Sequence, residues 1–141
     1  MRTWILALAC AALVPAMSGV ARADVDGQLF DITVTSTVSG TFSGVLEFFG
    51  DGTFHLDVDD SAEEGFGTYT QSGTANTTVN AVIEDGKQYV GTYSAIANDP
   101  KQQGGIRGFL ARRNNTPATI NGQGFGNAGD VFRFSGTEIL P

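Results

Sequence analysis

The sequence predicts an all-β protein that folds as a single up-and-down antiparallel barrel of about eight strands. Short runs of alternating apolar and polar residues recur after residue 24, and Gly, Asp and Asn residues separate them. No long stretch carries the apolar period of an amphipathic helix. Because closing a meander of short strands removes its exposed edges, a barrel is favoured, with a two-sheet sandwich as the alternative.

The first three strands have the clearest alternation. Residues 29–38 form the first predicted strand, and residues 41–59 form a hairpin around the turn Gly50-Asp51-Gly52. A slip of one residue in the second arm would bury two aspartates, so its register is well defined. The predicted inward residues are Phe30, Ile32, Val34, Phe42, Leu46, Phe48, Phe54, Leu56 and Val58.

A second hairpin joins residues 78–84 to residues 87–96 through Asp85-Gly86, a strong turn signal. Val79, Ala81 and Ile83 share one face of its first arm. Both faces of the second arm carry bulky side chains, so its inward face stays open. One face has Tyr89, Gly91, Tyr93 and Ala95, and the other has Val90, Thr92, Ser94 and Ile96.

Three further strands are predicted over residues 66–71, 106–112 and 131–139, the last with Phe132 and Phe134 inward. Residues 114–129 are rich in Gly and Asn. This segment is interpreted as a mobile loop, or as a loop that holds a short irregular strand around residues 119–125.

Residues 1–23 have the layout of a secretory signal peptide. Arg2 precedes an apolar run over residues 4–14, and Ala21-Arg22-Ala23 supplies small residues for cleavage between Ala23 and Asp24. The run is shorter than the roughly 20 residues that span a bilayer. We therefore expect one barrel domain over residues 24–141, exported to the periplasm or the extracellular space, with no membrane span in the mature chain.

Composition excludes several classes of function. Cys10, the only cysteine of the chain, lies in the leader, so disulfides, thiol catalysis and cysteine-ligated metals are excluded from the mature chain. The net charge is −7, and cleavage would make it more negative by removing Arg2 and Arg22. Such a charge argues against nucleic acid and anionic membranes as partners. No cofactor is predicted.

Five residues are candidates for ligand binding. Tyr69, Tyr89 and Tyr93 have the apolar body and polar tip that suit a barrel mouth, although ordinary packing is the alternative. Arg107 and Arg112 could recognise a carboxylate or phosphate, with surface ion pairs as the alternative.

Acidic residues near the end of the third strand are candidates for a metal. Asp57, Asp59 and Asp60 are closely spaced, but they lack the order of a calcium loop and suit a solvated turn equally well. His55, the only histidine, shares the outward face of its strand with Asp57. No nucleophile motif accompanies it, so the sequence predicts no catalytic residues.

The strand and turn pattern resembles the calycins, the group of small exported barrels that includes lipocalins and avidin-like proteins. The resemblance lies in Gly-Phe-Gly-Thr-Tyr-Thr-Gln-Ser-Gly at residues 65–73, in Asp85-Gly86, and in Tyr-Val-Gly-Thr-Tyr at residues 89–93. It implies an eight-stranded barrel. The mature chain has no Trp, so the tryptophan motifs of these families are absent and no family binding residue transfers.

Three functions remain open at this point. The first is an exported binding protein whose barrel holds a small apolar or amphipathic ligand. The second is a secreted inhibitor with a filled barrel, which contacts a protein partner through residues 114–129. The third is a small-barrel hydrolase or isomerase, which would need a titratable pair in a cleft.

Overall fold

In the computed structural model, the described residues are 25–59, 64–73, 76–85, 89–100 and 116–141. They form a closed barrel in which each strand pairs with its sequence neighbours and the first strand pairs with the last, every pair being antiparallel. The predicted barrel is thereby confirmed, and the sandwich is excluded. The strands are β1 Leu29–Ser36, β2 Gly40–Phe48, β3 Thr53–Val58, β4 Glu64–Ser72, β5 Thr77–Asp85, β6 Tyr89–Asn98, β7 Thr119–Gly126 and β8 Val131–Glu138.

The first hairpin has the predicted register. Phe48 pairs with Phe54 and Leu46 pairs with Leu56, so their side chains share the inner face. Gly52 adopts a φ of 87°, the left-handed conformation that favours glycine at a tight turn. Asp51 accepts hydrogen bonds from the backbone N–H and the hydroxyl of Thr53, at 3.0 and 2.6 Å, which fixes the same turn.

The inward face of β6, left open by its sequence, is the tyrosine face. Tyr93 and Ala95 are buried, whereas Val90 and Ile96 are each 55% exposed on the outside. The outer side chains therefore add apolar surface to the barrel wall and contribute little to its core.

The strand predicted over residues 106–112 lies outside the described residues. Within the described residues, β6 pairs with β7, which belongs to the predicted loop 114–129. Of the two interpretations of that loop, the irregular strand is the nearer one, but β7 is a regular strand of eight residues.

Strand β7 lacks the usual apolar alternation because glycines occupy its inner face. A methyl group on Gly124 would collide with the ring of Phe132 and with the carbonyl oxygen of Thr92. A methyl group on Gly122 would lie 2.8 Å from the Cβ of Ala95 and would also collide with the ring of Phe134. Rings from β8 therefore fill the space that side chains of β7 would otherwise take.

The two ends of the barrel differ. At one end, where β1 begins and β2 ends, Val25 and Phe30 are fully buried, as are Phe48, Val79 and Ile120. The rings of Phe48 and Phe30 meet edge-on with centroids 6.1 Å apart. We call this the closed end. The opposite end, where β1 ends and β2 begins, is the mouth.

No helix in the part of the chain that the structure describes has the length and hydropathy needed to cross a bilayer. The predicted signal peptide, residues 1–23, and Asp24 lie outside the described residues, as do Asp60, Arg107 and Arg112.

Candidate functional site

The half of the barrel nearer the mouth contains a cavity of about 340 Å³. We call it the compartment. This volume falls in the lower part of the range of small-molecule sites, about 300–1,000 Å³. Its wall is largely apolar and is made by inward residues of β1, β2, β3, β5 and β8. The apolar wall comprises Ile32, Val34, Phe42, Leu46, Phe54, Leu56, Val58, Ile83, Phe132 and Phe134.

Tyr93, four residues along β6 from the mouth, is a buried polar residue of this wall. The residue is only 6% exposed, and its ring lies edge-on to Phe54 and to Phe134, with centroids 5.4 and 5.2 Å away. Its hydroxyl has no hydrogen-bond partner among the described residues. Burial, with a smaller contribution from Tyr69, raises the pKa of Tyr93 far above its usual range, so the phenol is neutral and can donate a hydrogen bond.

Tyr69, by contrast, belongs to the closed end. Its hydroxyl donates hydrogen bonds to the Asp26 carboxylate and to the carbonyl oxygen of Phe49, the latter at 2.7 Å. Its ring packs on Phe48 with centroids 4.9 Å apart. Tyr69 is therefore a structural residue, which leaves it outside the compartment.

The mouth is polar and acidic. Asp130, immediately before β8, is only 5% exposed and accepts hydrogen bonds from Ser36 Oγ at 2.6 Å, Tyr89 OH at 2.8 Å and Thr37 Oγ1 at 3.3 Å. Asp59 and Glu64 lie on the part of the rim formed by the end of β3 and the start of β4. The polar residues that line the compartment at this end are Ser36, Ser39, Asp59, Glu64, Tyr89 and Asp130.

The hydroxyl groups keep Asp130 ionised. Burial raises the pKa of its carboxyl group, but the hydrogen bonds from Ser36, Tyr89 and Thr37 outweigh that effect, so the pKa lies below its ordinary value. Burial, together with the hydrogen bond to Asp130 and its charge, raises the pKa of Tyr89 well above the usual range. At neutral pH the mouth thus combines an anionic carboxylate with a neutral phenol.

Of the candidate metal ligands, Asp60 lies outside the described residues, and only Asp57 and Asp59 are placed by the structure. Asp57 is exposed on the outer face of β3, and Asp59 follows the end of that strand. Among the described residues, no group of three or more His, Cys, Asp or Glu side chains is placed to hold a metal ion. His55 lies on the outer wall, where its Nε2 is 3.4 Å from Glu64 Oε2 and its ring is tilted by 31° to the ring of Phe66, with centroids 4.8 Å apart.

Sequence reasoning found Tyr89 and Tyr93 but missed Asp130 and Ser36. The hydrogen bond between these two residues joins positions 94 apart along the chain, and only closure of β1 against β8 brings them together. An aspartate next to glycine in a short turn carries no sequence signal of burial.

Comparisons with protein-family models, with curated proteins and with solved structures found no match for this chain.

Proposed function

We propose that this chain is an exported binding protein whose barrel holds one small, mainly apolar molecule with a hydrogen-bonding group. The observation that carries the proposal is Tyr93, which lines the apolar compartment and whose buried hydroxyl has no partner among the described residues. A polar group buried without a partner is destabilising, and a ligand that accepts its hydrogen bond removes that cost.

The shape of the interior also supports ligand binding. The closed end is packed with side chains, whereas the mouth half leaves about 340 Å³ open. A barrel of eight strands is just wide enough to be filled by side chains or to hold one small ligand. Here side chains fill the closed end, and the mouth half has room for a ligand. In this proposal, the resemblance to calycins extends from the strand order to the use of the interior, and the leader exports the protein.

Two matched probes, para-ethylphenol and ethylbenzene, test the role of Tyr93. They differ by one hydroxyl group, and each is a single ring small enough for the compartment. We expect the mature protein, freed of resident small molecules, to bind para-ethylphenol about five to ten times more tightly, the value of one buried hydrogen bond. Isothermal titration and ligand-observed NMR measure both affinities.

Two variants make the experiment specific. Tyr93→Phe keeps the ring and removes the hydroxyl, so it should abolish the preference for para-ethylphenol. Tyr69→Phe makes the same change at the closed end and should leave the preference intact. Binding of neither probe, or a preference that survives in Tyr93→Phe, would overturn the proposal.

A further inference from the structure

The charge at the mouth of the compartment defines the class of ligand more narrowly, provided that the proposed binding function holds. Asp130 carries a buried negative charge, and its partners Ser36, Thr37 and Tyr89 are neutral hydroxyl groups. Hydroxyl groups stabilise a carboxylate but leave its charge uncompensated. The described residues provide no cation at this site.

The surrounding charges reinforce this bias. Arg133 is the only Lys or Arg within the described ranges, and it is exposed on the outer face of β8. Asp59 and Glu64 add two acidic groups to the rim of the same compartment. A cleft with low-dielectric walls concentrates the field of charges of one sign, so the described groups of the mouth attract cations and repel anions.

The occupant that fits is an organic cation rather than a metal ion. The acidic groups of the mouth are not clustered as metal ligands within the described part of the chain. Most of the compartment is apolar wall, and the rings of Phe54 and Phe134 stand at 72° and 89° to the ring of Tyr93. Aromatic walls at steep angles suit a ligand with an apolar body, and their faces also attract a cationic head group.

We infer that the compartment selects small amines and rejects carboxylates of the same size. The ammonium group lies at the Asp130 side of the mouth. The apolar body of the ligand lies among Phe54, Tyr93 and Phe134. The unpartnered hydroxyl of Tyr93 is the second polar contact, deep in the wall, for a ligand that carries a further polar atom. The described acidic groups at this mouth are Asp59, Glu64 and Asp130, and Tyr89 donates a hydrogen bond to Asp130. On the outer wall, His55 pairs with Glu64.

A series of three probes isolates the effect of charge. Phenethylamine, phenethyl alcohol and phenylacetate share one ring and a short chain and differ in the charge of the head group. At pH 7 we expect the amine to bind about tenfold more tightly than the alcohol, and the acid to bind about tenfold more weakly than the alcohol, as a partly screened charge pair near a protein surface predicts.

Variants assign the effect to the mouth. Asp130→Asn keeps the shape of the side chain and an oxygen that accepts hydrogen bonds from the hydroxyl groups, but it removes the charge. It should bring the affinities of phenethylamine and phenethyl alcohol to within about threefold of each other. Asp57→Asn, on the outer wall, is the matched control and should change neither affinity. If Asp130→Asn does not fold, the double variant Asp59→Asn with Glu64→Gln tests the rim, and it should reduce the advantage of the amine by about threefold.

The outcomes separate the two proposals. If phenethyl alcohol binds but the amine has no advantage, or the acid binds best, the charge inference is wrong and the binding function stands. If none of these probes binds and para-ethylphenol also fails, the binding function itself is wrong. An amine advantage that persists unchanged in Asp130→Asn would contradict the assignment to Asp130.

Discussion

Replacing Tyr93 with Phe should make the ligand-free protein more stable, which is unusual for a change at a core position. The substitution keeps the ring between Phe54 and Phe134 and removes a hydroxyl group that has no partner among the described residues. A buried polar group without a partner costs about 1–3 kcal/mol. We expect the free energy of unfolding to rise by about 1 kcal/mol, which corresponds to roughly 4 °C in Tm for a domain of this size.

The same substitution at Tyr69 should have the opposite sign. That hydroxyl donates to the Asp26 carboxylate and to the Phe49 carbonyl oxygen, and the residue is only 7% exposed. Losing a hydrogen bond to a charged group costs about 1.5–3 kcal/mol, so Tyr69→Phe should be destabilising by that amount. Urea unfolding at pH 7, followed by circular dichroism on the two variants and the parent, measures both effects.

The stability of the Tyr93→Phe variant decides whether the Tyr93 hydroxyl lacks a partner. If Tyr93→Phe lowers the stability of the ligand-free protein as much as Tyr69→Phe does, the Tyr93 hydroxyl is already satisfied. The compartment would then lack the feature on which the proposed function depends.

Three further predictions concern the barrel itself. Gly124→Ala should lower the free energy of unfolding by about 3 kcal/mol, because the neighbouring strand and ring must move, whereas Gly50→Ala, with open space around it, should change it by less than about 0.5 kcal/mol. Val25→Ala, at the closed end, should lower the free energy of unfolding by about 2 kcal/mol without weakening the binding of para-ethylphenol. Val38 is 62% exposed, so Val38→Ala should leave the stability unchanged in a thermal melt. Above pH 10 the free energy of unfolding should fall by about 1.4 kcal/mol per pH unit through Tyr93, because its raised pKa keeps it protonated in the folded protein while the unfolded chain ionises. The contribution of Tyr93 is therefore fully present below pH 10. An absorbance titration in which all tyrosines ionise near pH 10 while the protein stays folded would contradict this prediction.

The sequence predicted the barrel wherever bulky and polar residues alternate on one strand. Phe30, Ile32 and Val34 are buried as predicted, and so are Phe132 and Phe134. In β6 both faces carry bulk, so the alternation was uninformative. The structure resolves it because Tyr93 packs on rings from β3 and β8, contacts that no local pattern encodes.

For a related reason, the sequence does not decide between a loop and a short irregular strand at the position of β7. Its inner face carries Gly122, Gly124 and Gly126 after the buried Ile120, so it has the period of a strand without the apolar side chains that usually reveal one. The sequence also does not predict the size of the compartment. Whether a barrel is hollow depends on how rings from opposite strands share its interior, and this is set by three-dimensional packing rather than by the order of residues.

A crystal structure of residues 24–141 with bound para-ethylphenol would show directly whether the compartment holds a ligand. We expect the ring inside the compartment at the mouth end, with its hydroxyl oxygen within hydrogen-bond distance of the Tyr93 hydroxyl. Side chains that fill this half of the barrel, or a probe bound only on the outer wall, would contradict it.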